Sequence, residues 1–200
     1  MPHYLYQTEG FVIGSRSIGE GSRLLDLLTH HLGRVSILAQ GTRELRSKLR
    51  YHLSELTFFQ ATLVKGREFW RLVGAAPITD FEVVSLVSDV HRRALTARLA
   101  FLLRRFLVTD GKSNDPQLYL EIRSAVSFLA QHNLSRLELE HYEIASVWRL
   151  LAQLGYGRRT PTLEKILPPA DWCQNLLTTT ATYQPEIVAS INEALYHSHL

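Results

Sequence analysis

Basic side chains, the groups that bind phosphate in proteins, are concentrated in the first part of the sequence. Five of them fall within 17 residues and are opposed by a single acid, Glu44: Arg34, Arg43, Arg46, Lys48 and Arg50. Three more lie around a predicted turn that also carries Phe69 and Trp70: Lys65, Arg67 and Arg71. Guanidinium groups bind phosphate oxygens in pairs, and aromatic rings stack on bases. This combination predicts a surface that follows a nucleic-acid backbone.

The same residues have a second interpretation. The basic segment is then a solvated loop, and the neighbouring aromatic side chains fill a hydrophobic core: Phe58, Phe59, Phe69 and Trp70. Large aromatic side chains are mostly buried in folded proteins, which favours a core position for each ring taken alone. The composition does not decide between the two interpretations, so the placement of these residues on the fold has to be considered.

No combination of residues in the sequence predicts an active site. Gly111-Lys112-Ser113 lacks the first glycine of a phosphate-binding P-loop, because position 106 is Phe. The pairs His30-His31 and His197-Ser198-His199 lack the spacing of a zinc-protease motif. The lone Cys173 excludes a disulfide framework and a four-cysteine zinc site, and we expect it to be a small buried residue. We therefore predict a protein that is not an enzyme, with no metal site and no cofactor.

The net charge of +3 is unevenly distributed along the chain. Residues 1–80 hold 10 Lys and Arg against 7 Asp and Glu, whereas residues 81–200 hold 12 of each. The start of the sequence shows no signal-peptide pattern. The most apolar helical run, Ala94 to Val108, contains Arg98, Arg104 and Arg105 and falls short of the ~20 apolar residues of a membrane span. We expect a cytoplasmic protein with no membrane partner.

Residues 4–79 show the pattern of short strands separated by turns. Arg34 to Gln40 alternates, with Val35, Ile37 and Ala39 on one face, as expected for a half-buried strand. The other predicted strands are Tyr4 to Ile13, Arg23 to Thr29, Glu55 to Val64 and Phe69 to Gly74, with Gly14, Gly19 and Gly21 in a loop. Five strands are too few for a sandwich and suit a small closed barrel, which leaves no exposed sheet edge.

After Pro77 the apolar residues follow the helical period. We predict helices from about Val84 to Val108, from Pro116 with Asp115 as N-cap, and from about Arg136 to Leu154. A looser, proline-containing segment follows, and a last helix starts after Pro185. The predicted fold class is α+β with two domains: a five-stranded oligonucleotide-binding (OB) β-barrel in residues 1–80 and an all-α helical domain in residues 81–200.

Several motifs of the barrel region occur in the order found in one protein family. They are Thr8-Glu9-Gly10-Phe11-Val12-Ile13, Gly19-Glu20-Gly21-Ser22-Arg23-Leu24-Leu25, Gly33-Arg34-Val35, Ala39-Gln40-Gly41-Thr42-Arg43 and Arg46-Ser47-Lys48-Leu49. In the helical half, Leu150-Leu151 and Leu154-Gly155-Tyr156 match more loosely. The sequence resembles the bacterial RecO family of recombination mediators. Many members carry a C-x-x-C zinc knuckle after the Leu-Gly-Tyr, and this chain has Gly157-Arg158-Arg159-Thr160-Pro161 instead, so it resembles a zinc-free variant.

The resemblance implies a non-catalytic function in DNA repair. Family members bind single- and double-stranded DNA, anneal complementary strands, and act with RecR to replace single-strand DNA-binding protein by RecA. The resemblance also implies docking of the acidic, apolar C-terminal tail of the single-strand DNA-binding protein and association with the nucleoid. Arg98, Arg104 and Arg105 are candidate basic neighbours for that tail, and a solvated helix face is their alternative interpretation. The alternative function is a protein-binding adaptor whose barrel is basic without binding DNA.

Overall fold

The structure is a computed structural model that describes residues 4–40, 53–78, 89–109, 115–157, 160–167 and 171–197. The chain divides into two compact units, residues 1–120 and 121–200. The first unit contains the whole β-sheet and the second contains helices. The domain boundary expected at residue 80 stays a prediction, because residues 79–88 lie outside the described part of the chain.

The sheet of the first unit is a closed five-stranded barrel. Its strands are β1 (Leu5–Ile18), β2 (Ser22–Thr29), β3 (Gly33–Ala39), β4 (Phe58–Lys65) and β5 (Trp70–Pro77). They are hydrogen-bonded in the order β1-β2-β3-β5-β4, and β4 pairs with β1 to close the barrel. All neighbours are antiparallel except β3 and β5, which are parallel. The predicted fold class, an OB barrel followed by helices, is confirmed.

Strand β1 is longer than the sequence pattern predicts, and its length allows the barrel to close. Its first half pairs with β4 and its second half with β2, and the register shifts between Val12 and Gly14. Such a bulge bends a strand and increases its twist. The assignment of Gly14 to a loop is therefore wrong, because this glycine lies inside β1, whereas Gly19 and Gly21 do lie in the turn that follows it.

The barrel interior is filled by alternate residues of the strands. Strand β3 shows the alternation most clearly, with buried residues at every second position from Gly33 to Ala39. The buried core consists of Val12, Leu25, Leu27, Val35, Ile37, Ala39, Leu53, Phe59, Ala61 and Leu63. Phe58 points to the outer face, and it is also buried because it stacks on Phe11 and meets the ring edge of Tyr119. The core interpretation is therefore correct for Phe58 and Phe59.

Helix α1 (Val90–Phe106) belongs to the first unit. Asp89 caps its start by accepting hydrogen bonds from the backbone N–H groups of His91 and Arg92. The N–H of Arg92 is the main reason that the pKa of Asp89 lies below its usual value, since that bond stabilises the carboxylate. The predicted helix from Val84 to Val108 is confirmed over Val90–Phe106, and its expected first turns fall outside the described residues.

Two of the remaining helices begin at residues whose side chains accept hydrogen bonds from the first free N–H groups of the helix. The ranges are α2 (Pro116–Gln131, continuing from the first unit), α3 (Arg136–Gln153), α4 (Gln174–Thr182) and α5 (Gln184–His197), with a 3-10 helix at Leu163–Ile166. Asp115 accepts from the N–H groups of Gln117 and Leu118, as predicted. Ser135 and Glu138 form a reciprocal capping box at the start of α3. The expectation of a looser segment is wrong for Gln174–Thr182, which is helical.

A buried ion pair lies at the centre of the second unit. Arg149 of α3 donates from Nε and Nη2 to the two carboxylate oxygens of Glu121, each at 2.6 Å. The indole N–H of Trp172 donates to the same carboxylate at 2.9 Å, and Arg149 Nη1 donates to the carbonyl of Ile166 at 3.0 Å. These bonds connect α2, α3 and the segment before α4. Cys173, the neighbour of Trp172, is exposed, so its expected burial is wrong.

Among the described residues, no helix has both the length and the hydrophobicity to cross a membrane.

Candidate nucleic-acid interface

The hairpin between β4 and β5 exposes three basic side chains at one end of the barrel. Lys65, Arg67 and Arg71 are all exposed, with Lys65 opposite Trp70 and Arg71 opposite Val64 in the register. The turn is closed by a hydrogen bond from the N–H of Gly66 to the carbonyl of Phe69 at 3.1 Å. A Cβ on Gly66 would lie only 2.3 Å from that carbonyl oxygen, so the tight turn requires glycine. The predicted turn therefore carries the three exposed cations within one hairpin, with Lys65 and Arg71 in neighbouring cross-strand pairs.

An aromatic pair lies beside one of these cations, Lys65. The rings of Tyr6 and Trp70 meet edge to face with their centroids 5.0 Å apart, and Lys65 Nζ lies 5.9 Å from the centroid of Trp70. Trp70 is half-buried and packs against the barrel core, while Tyr6 is 39% exposed. Trp70 thus packs against the core, as one interpretation of the sequence predicts, and it is also partly accessible beside Lys65, as the nucleic-acid interpretation requires. We call Lys65, Arg67, Arg71, Tyr6 and Trp70 the hairpin patch.

Tyr6 was not among the sequence-predicted site residues. Its signal in the sequence is the spacing of Tyr4 and Tyr6, two aromatic residues that fall on the same face of one strand. The strand order of the barrel places the start of β1 next to β4, and Tyr6 is opposite Leu63 in that pairing. The closure of the barrel therefore brings a residue near the start of the chain beside the β4–β5 hairpin.

Arg34 lies apart from the hairpin patch and is held by other contacts. Its Nη2 donates to Asp26 at 2.8 Å, and its Nη1 donates to the carbonyls of Arg104 and Leu107 at 2.5 and 2.6 Å. In the parallel pairing of β3 with β5, Leu38 is opposite Arg71. Arg34 precedes Leu38 by four residues, or about 13 Å along the strand. The other members of the first basic group, Arg43, Arg46, Lys48 and Arg50, lie outside the described residues.

The three candidate arginines of helix α1 are exposed but lie on two different faces. Arg98 and Arg105 are seven residues apart, which places them two turns apart on one face. Phe101, which is 51% exposed, lies near the same face between them. Arg104 instead lies against β1, since a Cβ on Gly14 would be 2.7 Å from its Nη1. The structure therefore separates Arg104 from the other two.

The described residues contain no group of three or more His, Cys, Asp or Glu side chains with the arrangement of a metal site. The hairpin patch consists of donors and aromatic rings, with Glu68 as the acid in its turn. Such a surface can bind phosphates and stack bases. It offers no paired carboxylates of the kind that cleave phosphodiester bonds.

Comparison with known proteins gives a family match for the barrel region and several similar relatives. Residues 1–81 match the family described as "Recombination protein O N terminal". The DNA repair protein RecO of Heliobacterium modesticaldum is 37% identical over 101 residues, which make up 50% of this chain and 36% of that protein. The DNA repair protein RecO of Dehalococcoides mccartyi (strain ATCC BAA-2266 / KCTC 15142 / 195) is 26% identical over 181 residues, 90% of this chain and 66% of that protein.

The RecO protein of Aliivibrio salmonicida is 29% identical over 153 residues, which are 74% of this chain and 58% of that protein. The matched regions thus span between about a third and two thirds of the length of these three relatives. The family resemblance drawn from the sequence motifs is confirmed by these matches.

Proposed function

We propose, on the premise that this chain carries the N-terminal domain of the RecO family, that it is a DNA-binding recombination mediator in DNA repair. The observation that carries the proposal is the hairpin patch, a group of three exposed cations and two rings on an OB barrel. In this function the protein binds and anneals single strands. Together with RecR, it helps to load RecA onto strands coated by single-strand DNA-binding protein. Double-stranded DNA is bound through the same phosphate contacts.

The chemistry of annealing explains why such a surface is sufficient. Two strands repel each other through their phosphates, and cations that neutralise phosphates lower this repulsion. Contacts to the backbone carry no base readout, so the base edges remain available for pairing. Lys65, Arg67 and Arg71 supply the cations, and Tyr6 and Trp70 offer ring surface on which bases can stack. The proposed function therefore requires binding alone and no catalytic step.

The proposal also assigns DNA contacts to four basic residues that lie outside the described part of the chain. Arg43, Arg46, Lys48 and Arg50 follow strand β3, whose end is next to β5 in the sheet. Arg34 has a different role in the proposal, because its guanidinium is already bound to Asp26 and to two carbonyls at the end of α1. It positions helix α1 against the barrel.

Helix α1 is the proposed docking site for the acidic, apolar tail of single-strand DNA-binding protein. The exposed ring of Phe101 between Arg98 and Arg105 offers an apolar contact flanked by two positive charges. A tail that ends in apolar residues and carries acidic ones has the complementary pattern. Arg104 adds to the positive charge at the end of α1, although it faces the barrel.

The test of the proposed function measures DNA binding by fluorescence anisotropy with a labelled single-stranded oligonucleotide. The triple variant Lys65→Gln, Arg67→Gln and Arg71→Gln should bind more weakly and with a flatter salt dependence. The log-log salt slope should fall by about 2, at roughly 0.7 per lost phosphate contact on single strands. Tyr6→Leu should weaken binding at all salt concentrations without changing the slope, because it removes stacking and no charge.

The matched control is Arg93→Gln, Arg136→Gln and Lys165→Gln, three exposed cations outside the hairpin patch with the same total charge change. It should retain the wild-type salt slope. Equal binding by the folded hairpin variant and the wild-type protein would overturn the proposal. That outcome would favour the protein-binding adaptor, whose basic barrel does not contact DNA.

The annealing step is tested with complementary strands coated by single-strand DNA-binding protein. The wild-type protein should accelerate duplex formation, and the hairpin variant should not. Arg98→Gln with Arg105→Gln should bind free strands normally and fail on coated ones, because the tail contact is lost. A cytoplasmic, nucleoid-associated location follows from this function and is part of the proposal.

A further inference from the structure

A polar cleft of about 340 Å³ lies on the outer face of the barrel, where strands β1, β2 and β3 meet the end of helix α1. The residues that line it come from all four elements and the segment after α1: Gly14, Ser15, Arg16, Leu24, Asp26, Arg34, Ser36, Arg104 and Thr109. All of these residues belong to the unit formed by residues 1–120. We call this site the arginine cleft after Arg16, Arg34 and Arg104, and none of them belongs to the hairpin patch.

The strand register builds one wall of the cleft. Gly14 is opposite Asp26, and Asp26 is opposite Ser36, so these three residues form a row across β1, β2 and β3. Arg16 is opposite Leu24 in the adjacent row on the same face. The absence of a side chain at Gly14 leaves the space in which Arg104 lies, because a Cβ there would come within 2.7 Å of Nη1 and 3.1 Å of Cδ. Glycine at this position therefore brings the Arg104 guanidinium close to the sheet.

The charges of the cleft do not cancel. Asp26 accepts from Arg34 Nη2 at 2.8 Å and from Ser36 Oγ at 3.0 Å, so its charge is matched by that of Arg34. Arg34 Nη1 also donates to two carbonyl groups at the C-terminal end of α1, which offsets the negative end of that helix. Arg16 and Arg104 remain as two exposed guanidinium groups on either side of a polar depression.

Stabilisation of helix α1 does not by itself explain why Arg16, Arg34 and Arg104 line the same cleft. Arginines in the last turn of a helix stabilise it, and Arg104 and Arg105 both lie in the last turn of α1. Arg105 has that role without lining the cleft. Arg16 comes from a strand, and the helix dipole gives no reason for its presence. Arg34 Nε, in addition, is buried and has no hydrogen-bond partner among the described residues.

We propose that the arginine cleft binds a phosphate group between Arg16 and Arg104. Guanidinium groups bind phosphate oxygens through paired, charge-assisted hydrogen bonds. Because Arg34 matches the charge of Asp26, that carboxylate does not cancel the charges of Arg16 and Arg104. The phosphate is either free in solution or part of a nucleic-acid strand. The site does not depend on DNA binding by the hairpin patch, although a strand that occupied both would have a longer footprint on the barrel.

The experiment titrates the full-length chain with inorganic phosphate and pyrophosphate and follows the arginine Nε–Hε signals by NMR. Arg16→Gln with Arg104→Gln should lower the affinity for both anions by about tenfold, since two charge-assisted contacts are lost. The control is Arg93→Gln with Arg136→Gln, two exposed arginines that do not line the cleft, and it should change the affinity by less than about twofold. A further variant, Gly14→Ala, should displace the flexible end of Arg104 and reduce the affinity with all charges retained.

The second arm measures oligonucleotide binding by the same variants. If a strand phosphate occupies the cleft, the log-log salt slope of Arg16→Gln with Arg104→Gln should fall by about 0.7 to 1.4, independently of the hairpin substitutions. Loss of phosphate binding with an unchanged slope supports the site and identifies free phosphate as its ligand. Equal phosphate affinity and equal salt slope in the cleft and control variants would overturn this inference. The proposed function would survive that result, because it depends on the hairpin variant.

Discussion

Replacing Arg149 by methionine removes one half of the ion pair that is buried in the second unit. The side chain of Arg149 is 2% exposed and that of Glu121 is 9% exposed. The substitution keeps an apolar stem of similar length but removes the two 2.6 Å hydrogen bonds to Glu121 and the one to the Ile166 carbonyl. It also removes a guanidinium that lies 5.0 Å from the Trp172 ring centroid. Glu121 would retain its hydrogen bond from the Trp172 indole.

The loss in free energy of unfolding caused by Arg149→Met follows from the buried carboxylate of Glu121, which remains without its cation. Removing one partner of a buried ion pair destabilises a protein by about 3–5 kcal/mol, because the other charge is left uncompensated. For a chain of this length, the melting temperature should fall by roughly 6–20 °C. Urea and thermal unfolding followed by circular dichroism measure both quantities. The control, Arg136→Met, removes a 95% exposed arginine whose Nε lies 3.8 Å from Glu140 Oε1, and it should change stability by less than about 0.5 kcal/mol.

A second substitution separates the charge effect from a simple loss of packing. Adding Glu121→Gln to Arg149→Met removes the uncompensated charge and leaves an amide that can still accept from Trp172. The double variant should therefore be more stable than Arg149→Met alone, by about 1 kcal/mol or more. A double variant less stable than the single one would refute this reasoning, and so would a cost below about 1 kcal/mol for Arg149→Met.

Three further predictions concern the caps and the core. Ser135→Ala removes the acceptor at the start of α3 and should lower the free energy of unfolding in urea by about 1 kcal/mol, and no change would contradict the capping box. The backbone N–H of Ser135 is the main group that holds the pKa of Glu138 below 4.5, so this carboxylate stabilises the fold above that pH and stops doing so as the pH falls through its lowered pKa. The stability difference between wild type and Glu138→Gln should thus be constant from about pH 7 to 5.5 and shrink below pH 4.5, whereas an equal difference at about pH 3 would refute it. Phe59→Ala, in the barrel core, should cost about 3–5 kcal/mol in the same unfolding assay, and a cost under about 1 kcal/mol would mean that the ring is not packed there.

The order of elements could be read from the sequence because it depends on local periodicity and capping. The alternation in β3 predicts a strand with one buried face, and Asp115-Pro116 predicts the start of α2. Helix α4 was missed because its threonines have low helix propensity. In the structure, threonine hydroxyls of α4 donate to carbonyls four residues earlier, and Leu176 and Leu177 are buried. Tertiary burial therefore overrides the local preference there.

The candidate site could be predicted in part. The clustering of Lys65, Arg67 and Arg71 around a glycine turn is a local feature, and the structure places all three at the exposed end of the barrel. The contribution of Tyr6 depends on β1 closing against β4, which brings together residues nearly sixty positions apart. No pattern within a short window can report that contact.

The sequence by itself indicated the resemblance to the RecO family, the barrel class and the sign of the charge near the β4–β5 turn, because motifs, periodicity and composition are local properties of the chain. The tertiary structure decided how individual arginines are used. Arg34 is bound to Asp26 and to the end of α1, Arg104 lies over Gly14, and Arg149 is buried against Glu121. In each case the partner is distant in the chain or lies on another element, so only folding determines whether a guanidinium meets a carboxylate, a carbonyl or solvent.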